Sequence, residues 1–145
     1  MSDLPEFDLN EFTPYRLAVV AQKTSEGLAR IYRSRFGISI PEWRVLAHLV
    51  HAGDVSVRDI EARVAMEKSK VSRASTRLEQ AGLIRKSTSK SDRRLISMSL
   101  TQKGKNLMSE LLPLALDYQR HLEHLLASDF EDFEAGIDRL LKHTI

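Results

Sequence analysis

Apolar residues recur every three or four positions through most of the chain, and the period changes to two in one short stretch. Leu17, Val20, Ala21, Leu28, Ile31 and Tyr32 predict a first helix running to about Phe36. Thr13 is its expected N-cap, Pro14 takes the first helical position, and Gly37 is the stop. The acidic residues 1–12, with Pro5, show no period and read as a loose arm. Ser39-Ile40-Pro41-Glu42 has capping-box spacing ahead of Trp43, Leu46, Ala47, Leu49 and Val50, and this second helix ends near Gly53-Asp54. Ser56-Val57-Arg58-Asp59 opens a short third helix with Ile60 and Val64 inward. After a turn at Ala65-Met66-Glu67, a fourth helix runs from about Lys68 to Ala81 and closes at Gly82. Two short helices joined by a tight turn predict a helix-turn-helix.

From Leu83 the pattern shifts. Ile96, Met98 and Leu100 alternate with Leu95, Ser97 and Ser99, which predicts a strand with one apolar face. Leu83 to Ser87 is its expected partner, with 88–93 as the polar hairpin tip. Thr101 then caps a long helix with Leu107, Leu111, Leu114, Tyr118, Leu122 and Leu125 on one stripe and Pro113 as a kink point. Ser128-Asp129-Phe130-Glu131 opens a last helix striped by Phe130, Phe133, Ile137, Leu140 and Leu141. The expected fold class is mainly α with a small β-hairpin.

Charge sharpens this picture. The formal net charge is only +2, yet residues 67–105 hold 11 basic and 3 acidic side chains, while residues 106–145 hold 3 basic and 8 acidic. Such segregation is the electrostatic footprint of a polyanionic partner. The absence of cysteine from the sequence excludes disulfides and thiolate metal sites. No apolar run reaches membrane-spanning length, and the acidic opening lacks a signal core, so the expected location is the cytoplasm with no membrane partner.

On the fourth helix, Val71, Ala74, Ser75 and Leu78 share one side and belong to a core. Ser69, Ser72, Arg73, Thr76 and Arg77 fall on the opposite arc, which carries no acid. Arginine can donate two bonds to a guanine edge, and hydroxyls can reach bases or phosphates, so these five are the candidate base readers. Lys68 and Lys70 flank them as candidate phosphate contacts. At the hairpin tip, Lys90, Arg93 and Arg94 suit the negative potential of a narrow minor groove. Asp92 is expected to pair with Arg93 or Arg94 and hold the tip in shape.

These motifs resemble the MarR family of bacterial winged helix-turn-helix transcriptional regulators over almost the whole chain. Its wing pattern of Asp, any residue, Arg, a strand, then Leu-Thr and a Gly is met by Asp92, Arg94, Leu100, Thr101 and Gly104. Its recognition-helix pattern is met by Ser69, Val71, Ser72 and Arg73. Lys70 stands where threonine is common, and Ala65 where glycine often is. Pro41-Glu42-Trp43-Arg44-Val45-Leu46 resembles the family's second-helix opening. The resemblance implies a single module over 1–145, with dimerisation helices at about 13–36 and 101–143 and a winged helix-turn-helix at about 39–100. It also implies a homodimer on a pseudo-palindromic double-stranded operator. Its expected role is that of a repressor relieved by a small, aromatic acid-like effector.

Other chemistry has less behind it. His48/His51 and His121/His124 are each spaced i, i+3, but no recognised metal-ligand pattern accompanies them, so the expectation is no metal site and no cofactor. No phosphate loop or nucleophile motif points to an enzyme. Trp43, Tyr15, Arg16 and Arg44 are residue types that could serve an effector pocket, without enough to assign them, so the ligand-binding residues are unknown. The alternatives are a metal-responsive regulator and a winged-helix module that binds an acidic protein.

Overall fold

The computed structural model describes residues 3–63, 67–88 and 96–144. The chain forms two compact units, one reaching Met108 and one starting at Ser109, with the division inside a helix.

In the first unit, helix α1 spans Thr13–Phe36, α2 Ile40–Ala52, α3 Val57–Arg63 and α4 Lys68–Gln80. Strands β1 (Val55–Ser56), β2 (Ile84–Thr88) and β3 (Ile96–Leu100) form one antiparallel sheet in the order β1-β3-β2. Helix α5 spans Gln102–Leu126, and its first turns belong to this unit.

Local chemistry accounts for most of the boundaries. Gly37 closes α1 with φ +66, a left-handed conformation that disfavours a Cβ. At α2 the Ser39 hydroxyl donates to Glu42 Oε1 at 2.7 Å and accepts from the Glu42 N–H at 3.3 Å, and Glu42 Oε1 accepts from the Ser39 N–H at 3.4 Å, completing the expected capping box. Ser56 Oγ accepts from the Asp59 N–H at 3.0 Å, the expected cap of α3.

Three local expectations need correction. Thr13 is not the N-cap of α1: Phe12 holds that position with no side-chain capping bond, and Pro14 lies one place further in. Proline tolerates either place, because first-turn N–H groups have no helical acceptor. The arm is not featureless, since Leu9–Glu11 form a 3-10 turn with Asp8 accepting from the Asn10 N–H, and the Phe7 and Phe12 rings meet edge to face at 5.2 Å. Val55–Ser56 form a strand, pairing Val55 with Met98 and Ser56 with Ser97. Two residues are too few for alternation to show.

The core of this unit gathers Ala29 and Tyr32 from α1, Val45, Leu46 and Leu49 from α2, Ile60 from α3, and Val71, Ala74 and Leu78 from α4. Leu83, Ile84, Met98 and Met108 are buried as well. Burying each large apolar side chain contributes about 1.5–3 kcal/mol. On β3 only Met98 is fully buried, and Ile96 is 42% exposed, so the apolar face fades toward the hairpin tip. Val64 and the turn residues Ala65 and Met66 lie outside the described residues.

Tyr32 is buried and stacks on Trp43, with ring centroids 5.6 Å apart and planes 22° from parallel. Burial pushes its phenol up from 10.0 to about 12. A folded-state value above the unfolded one means this stability is fully present below about pH 10 and is lost as pH rises through about 12. A tyrosinate absorbance step centred near pH 12 is therefore expected, and Tyr32→Phe should remove it. A profile unchanged by that substitution would contradict the assignment.

In the second unit α5 continues through Pro113 to Leu126, and α6 spans Phe130–His143. The last helix does not open at Ser128 as expected. Ala127–Asp129 form a 3-10 turn entered with Ala127 at φ +51, and α6 begins at Phe130 without a side-chain cap. Leu116, Leu125, Phe133, Leu140 and Leu141 stay exposed, Leu125 at 72% and Leu141 at 76%. No helix among the described residues is long and apolar enough to cross a membrane.

Candidate nucleic-acid interface

Helix α4 has two chemically distinct sides. Val71, Ala74, Ser75 and Leu78 are buried, and the Ser75 hydroxyl is satisfied by donating to the Val71 carbonyl at 2.7 Å. Lys68, Ser69, Lys70, Ser72, Arg73, Thr76 and Arg77 are all exposed. The residues expected to read bases thus share a solvent face with the two lysines, on a helix held from behind by α2, α3 and β2.

Within that face the side chains are partly ordered along the helix. Arg73 Nε donates to the Ser69 carbonyl at 3.3 Å, and Thr76 Oγ1 donates to the Ser72 carbonyl at 3.0 Å. Neither bond consumes the whole group, since the guanidinium has further N–H donors and the hydroxyl keeps its lone pairs. At the start of α4, Glu67 holds the N-cap position without a side-chain capping bond. The first-turn amides and the positive end of the helix dipole therefore add to Lys68 and Lys70.

The structure also brings in cations that sequence reasoning did not assign. Lys70 lines a hollow of about 430 Å³ with Arg33 from α1, Ser39, Ile40, Pro41 and Arg44 from α2, and Glu67. A neighbouring groove of about 300 Å³ is lined by Pro41, Lys70, Arg73, Ala74 and Arg77. Arg33 pairs with Glu26 at 3.1 Å, and Arg44 reaches the Ser25 hydroxyl at 3.5 Å. Arg33 lies in the last turn of α1, 37 positions before Lys70, so no sequence period connects them.

The residues weighed for an effector pocket separate. Trp43 stacks on Tyr32, whereas Tyr15 and Arg16 line a different hollow of about 280 Å³ with Asn10, Val19 and Val20. Lys90, Asp92, Arg93 and Arg94 lie outside the described residues, although β2 and β3, which lead to them, pair from Ile84 with Leu100 to Thr88 with Ile96. Among the described residues, no three His, Cys, Asp or Glu side chains come together as a metal site.

A helix-turn-helix backed by a three-stranded sheet, with an exposed basic and hydroxyl-bearing α4, defines a winged-helix DNA-binding protein. Comparison with known proteins agrees. A model of the MarR family matches residues 38–96, from the entry to α2 to the start of β3. A MarR family transcriptional regulator from Silicibacter pomeroyi DSS is 29% identical and superposes with a TM-score of 0.78 over 95% of each chain. The HTH-type transcriptional regulator MhqR of Bacillus subtilis is 26% identical over 110 residues, 69% of this chain and 74% of its own. Bordetella bronchiseptica BpsR is 19% identical and shares the fold, with a TM-score of 0.82 over 97% of this chain and 100% of that one. Residues 38–96 thus carry the MarR family match, and the chain is similar to HTH-type transcriptional regulators and to solved MarR family regulators.

Proposed function

We propose that two copies of this chain grip one pseudo-palindromic operator and act as a repressor released by a small, aromatic acid-like effector. The observation that carries the DNA arm of this reading is the exposed face of α4, where Ser69, Ser72, Arg73, Thr76 and Arg77 stand together without an acid. In this reading α4 of each subunit enters a major groove and those five residues read base edges, while Lys68 and Lys70 anchor phosphates. The wing cations Lys90, Arg93 and Arg94 enter the minor groove, with Asp92 bracing the tip.

The homodimer is supported by apolar side chains left in solvent. Phe7, Phe12, Leu17 and Val20 are exposed in the arm and α1, as are Leu125, Phe133 and Leu141 in the second unit. Large exposed apolar groups that gather into one patch mark an interaction surface. Dimerisation helices at about 13–36 and 101–143 would space two copies of α4 by about one DNA turn, ~34 Å. The effector is supported by BpsR, whose DNA binding is regulated by 6-hydroxynicotinic acid. Effector and operator would oppose each other because each prefers a different spacing of the two α4 helices.

Sequencing the duplexes that the purified protein retains from a random pool tests dimer, spacing and readers together. A two-fold symmetric motif is expected. Arg73→Ala should flatten the preference at one position of each half-site and cost about 1–3 kcal/mol of discrimination there. An asymmetric motif would remove the dimer model, and an unchanged motif in Arg73→Ala would remove Arg73 from the readers.

A further inference from the structure

The far end of α4 is held from outside the helix. Three successive carbonyls leave it, those of Ala81, Gly82 and Leu83, and all three accept hydrogen bonds from the opening of α5. Lys103 Nζ donates to Ala81 O at 2.8 Å, Thr101 Oγ1 donates to Gly82 O at 2.6 Å, and the Thr101 N–H donates to Leu83 O at 3.1 Å. The lysine stem passes over Gly82, where a built Cβ would lie 3.8 Å from Lys103 Cδ. Gly104, the third residue of α5, lies so close to Leu83 O that no side chain fits between them.

These bonds are not an ordinary helix ending. Helix α4 already closes itself, since the Ala81 N–H donates to Arg77 O at 2.9 Å, Gly82 N–H to Glu79 O at 2.9 Å, and Leu83 N–H to Leu78 O at 2.9 Å. The carbonyls of residues 81–83 point onward, and satisfying them needs donors from elsewhere in the chain. Thr101 supplies two, and its hydroxyl also accepts from the Gly104 N–H at 3.0 Å. One side chain thus caps α5 and ties the exit of α4. Lys103 adds a cation at the negative end of the α4 dipole.

We propose that Thr101 and Lys103 are positioning residues for the DNA reader, setting the direction of α4 from the first turn of α5. A tilt or rotation of α5 at this point is passed to α4 through three backbone carbonyls rather than absorbed by a flexible turn. The clamp acts on the end of α4 that carries Thr76 and Arg77, so it governs which bases they can reach, and this rests on the reading of α4 as the DNA reader. Side-chain identity follows from the geometry. Position 101 needs a hydroxyl that donates and accepts at once, so serine can replace threonine and valine cannot.

Three variants of the full chain test it, Lys103→Met, Thr101→Val and Thr101→Ser, each with two readouts. Amide hydrogen exchange over residues 78–88 should quicken in Lys103→Met and Thr101→Val and stay at the parental rate in Thr101→Ser. The ratio of operator to scrambled-duplex affinity should fall about 3- to 30-fold in the first two variants. The salt dependence of binding should keep its slope, because neither side chain is held to touch phosphate. Lys103→Met leaves the α5 cap intact, so it decides the matter should Thr101→Val not fold. Unchanged exchange in Lys103→Met would remove the clamp. Equal loss on both duplexes, with a shallower salt slope, would make Lys103 a phosphate contact and overturn the proposal. Failure of the parent protein to prefer any duplex would overturn α4 as a reader, and the positioning role with it. The exchange readout would still show whether the clamp exists.

Discussion

Raising the salt from about 50 to about 200 mM should weaken operator binding by about 10³-fold or more. The reason lies in how many cations the proposed interface holds. Each subunit offers Lys68, Lys70, Arg73 and Arg77 on α4 and Lys90, Arg93 and Arg94 on the wing. If roughly half of these in a dimer touch phosphate, six or more condensed counterions are released on binding, and a loss of about 10³–10⁵ over that salt range follows. Titrating a labelled operator at four or five salt concentrations measures the slope. Arg94→Ala should weaken binding strongly and reduce that slope, whereas a flat salt response would sink the electrostatic interface altogether. Specific and scrambled duplexes should lose affinity with similar slopes, because phosphate contacts position the protein without reading sequence.

Gly104→Ala should destabilise the fold by about 2–3 kcal/mol or more, lowering the melting temperature by about 5–10 °C. A Cβ at this position would stand 2.1 Å from Leu83 O and 3.1 Å from Leu83 C. Those atoms are backbone, and the oxygen already accepts from the Thr101 N–H, so neither can swing aside as a flexible side chain could. Either α5 or the start of β2 must move. Gly136, inside α6, is the control, since nothing lies within 4 Å of its built Cβ. There alanine should stabilise the helix by about 0.5–1 kcal/mol. Thermal unfolding followed by circular dichroism compares the two, and a Gly104→Ala protein that melts with the parent would refute the close approach.

Elements defined by neighbouring residues were legible in the sequence. The capping box at Ser39 and Glu42, the stop at Gly37 and the cap at Ser56 depend on groups two to four positions apart. The same holds for the split of α4 into a buried side and an exposed basic side, which the 3.6-residue period alone separates. Boundaries were less secure where two signals competed. Thr13 looked like a cap because it precedes proline, but the helix begins one residue earlier in its dihedral pattern and Thr13 is already helical. At the other end, Ser128-Asp129 offered cap residues, yet the chain turns through a 3-10 segment and starts α6 without using them.

What lay beyond reach was non-local. The pairing of Val55 with Met98 joins positions 43 apart, and two-residue β1 carries no period of its own. Arg33, Arg44 and Lys70 meet in one hollow because α1, α2 and α4 converge there. Thr101 was readable as the cap of α5, but its second bond, to Gly82, was not.

The amino-acid sequence by itself determined the order of the helices, the hairpin, the concentration of cations over 67–105 and the face of α4 that meets solvent. These follow from helical and strand periods and from side-chain chemistry acting over a few residues. Only the tertiary structure decided what backs that face, which distant cations join it, and why position 104 must be glycine. Each of those depends on atoms brought together by packing, where a carbonyl 21 positions away can forbid a single methyl group.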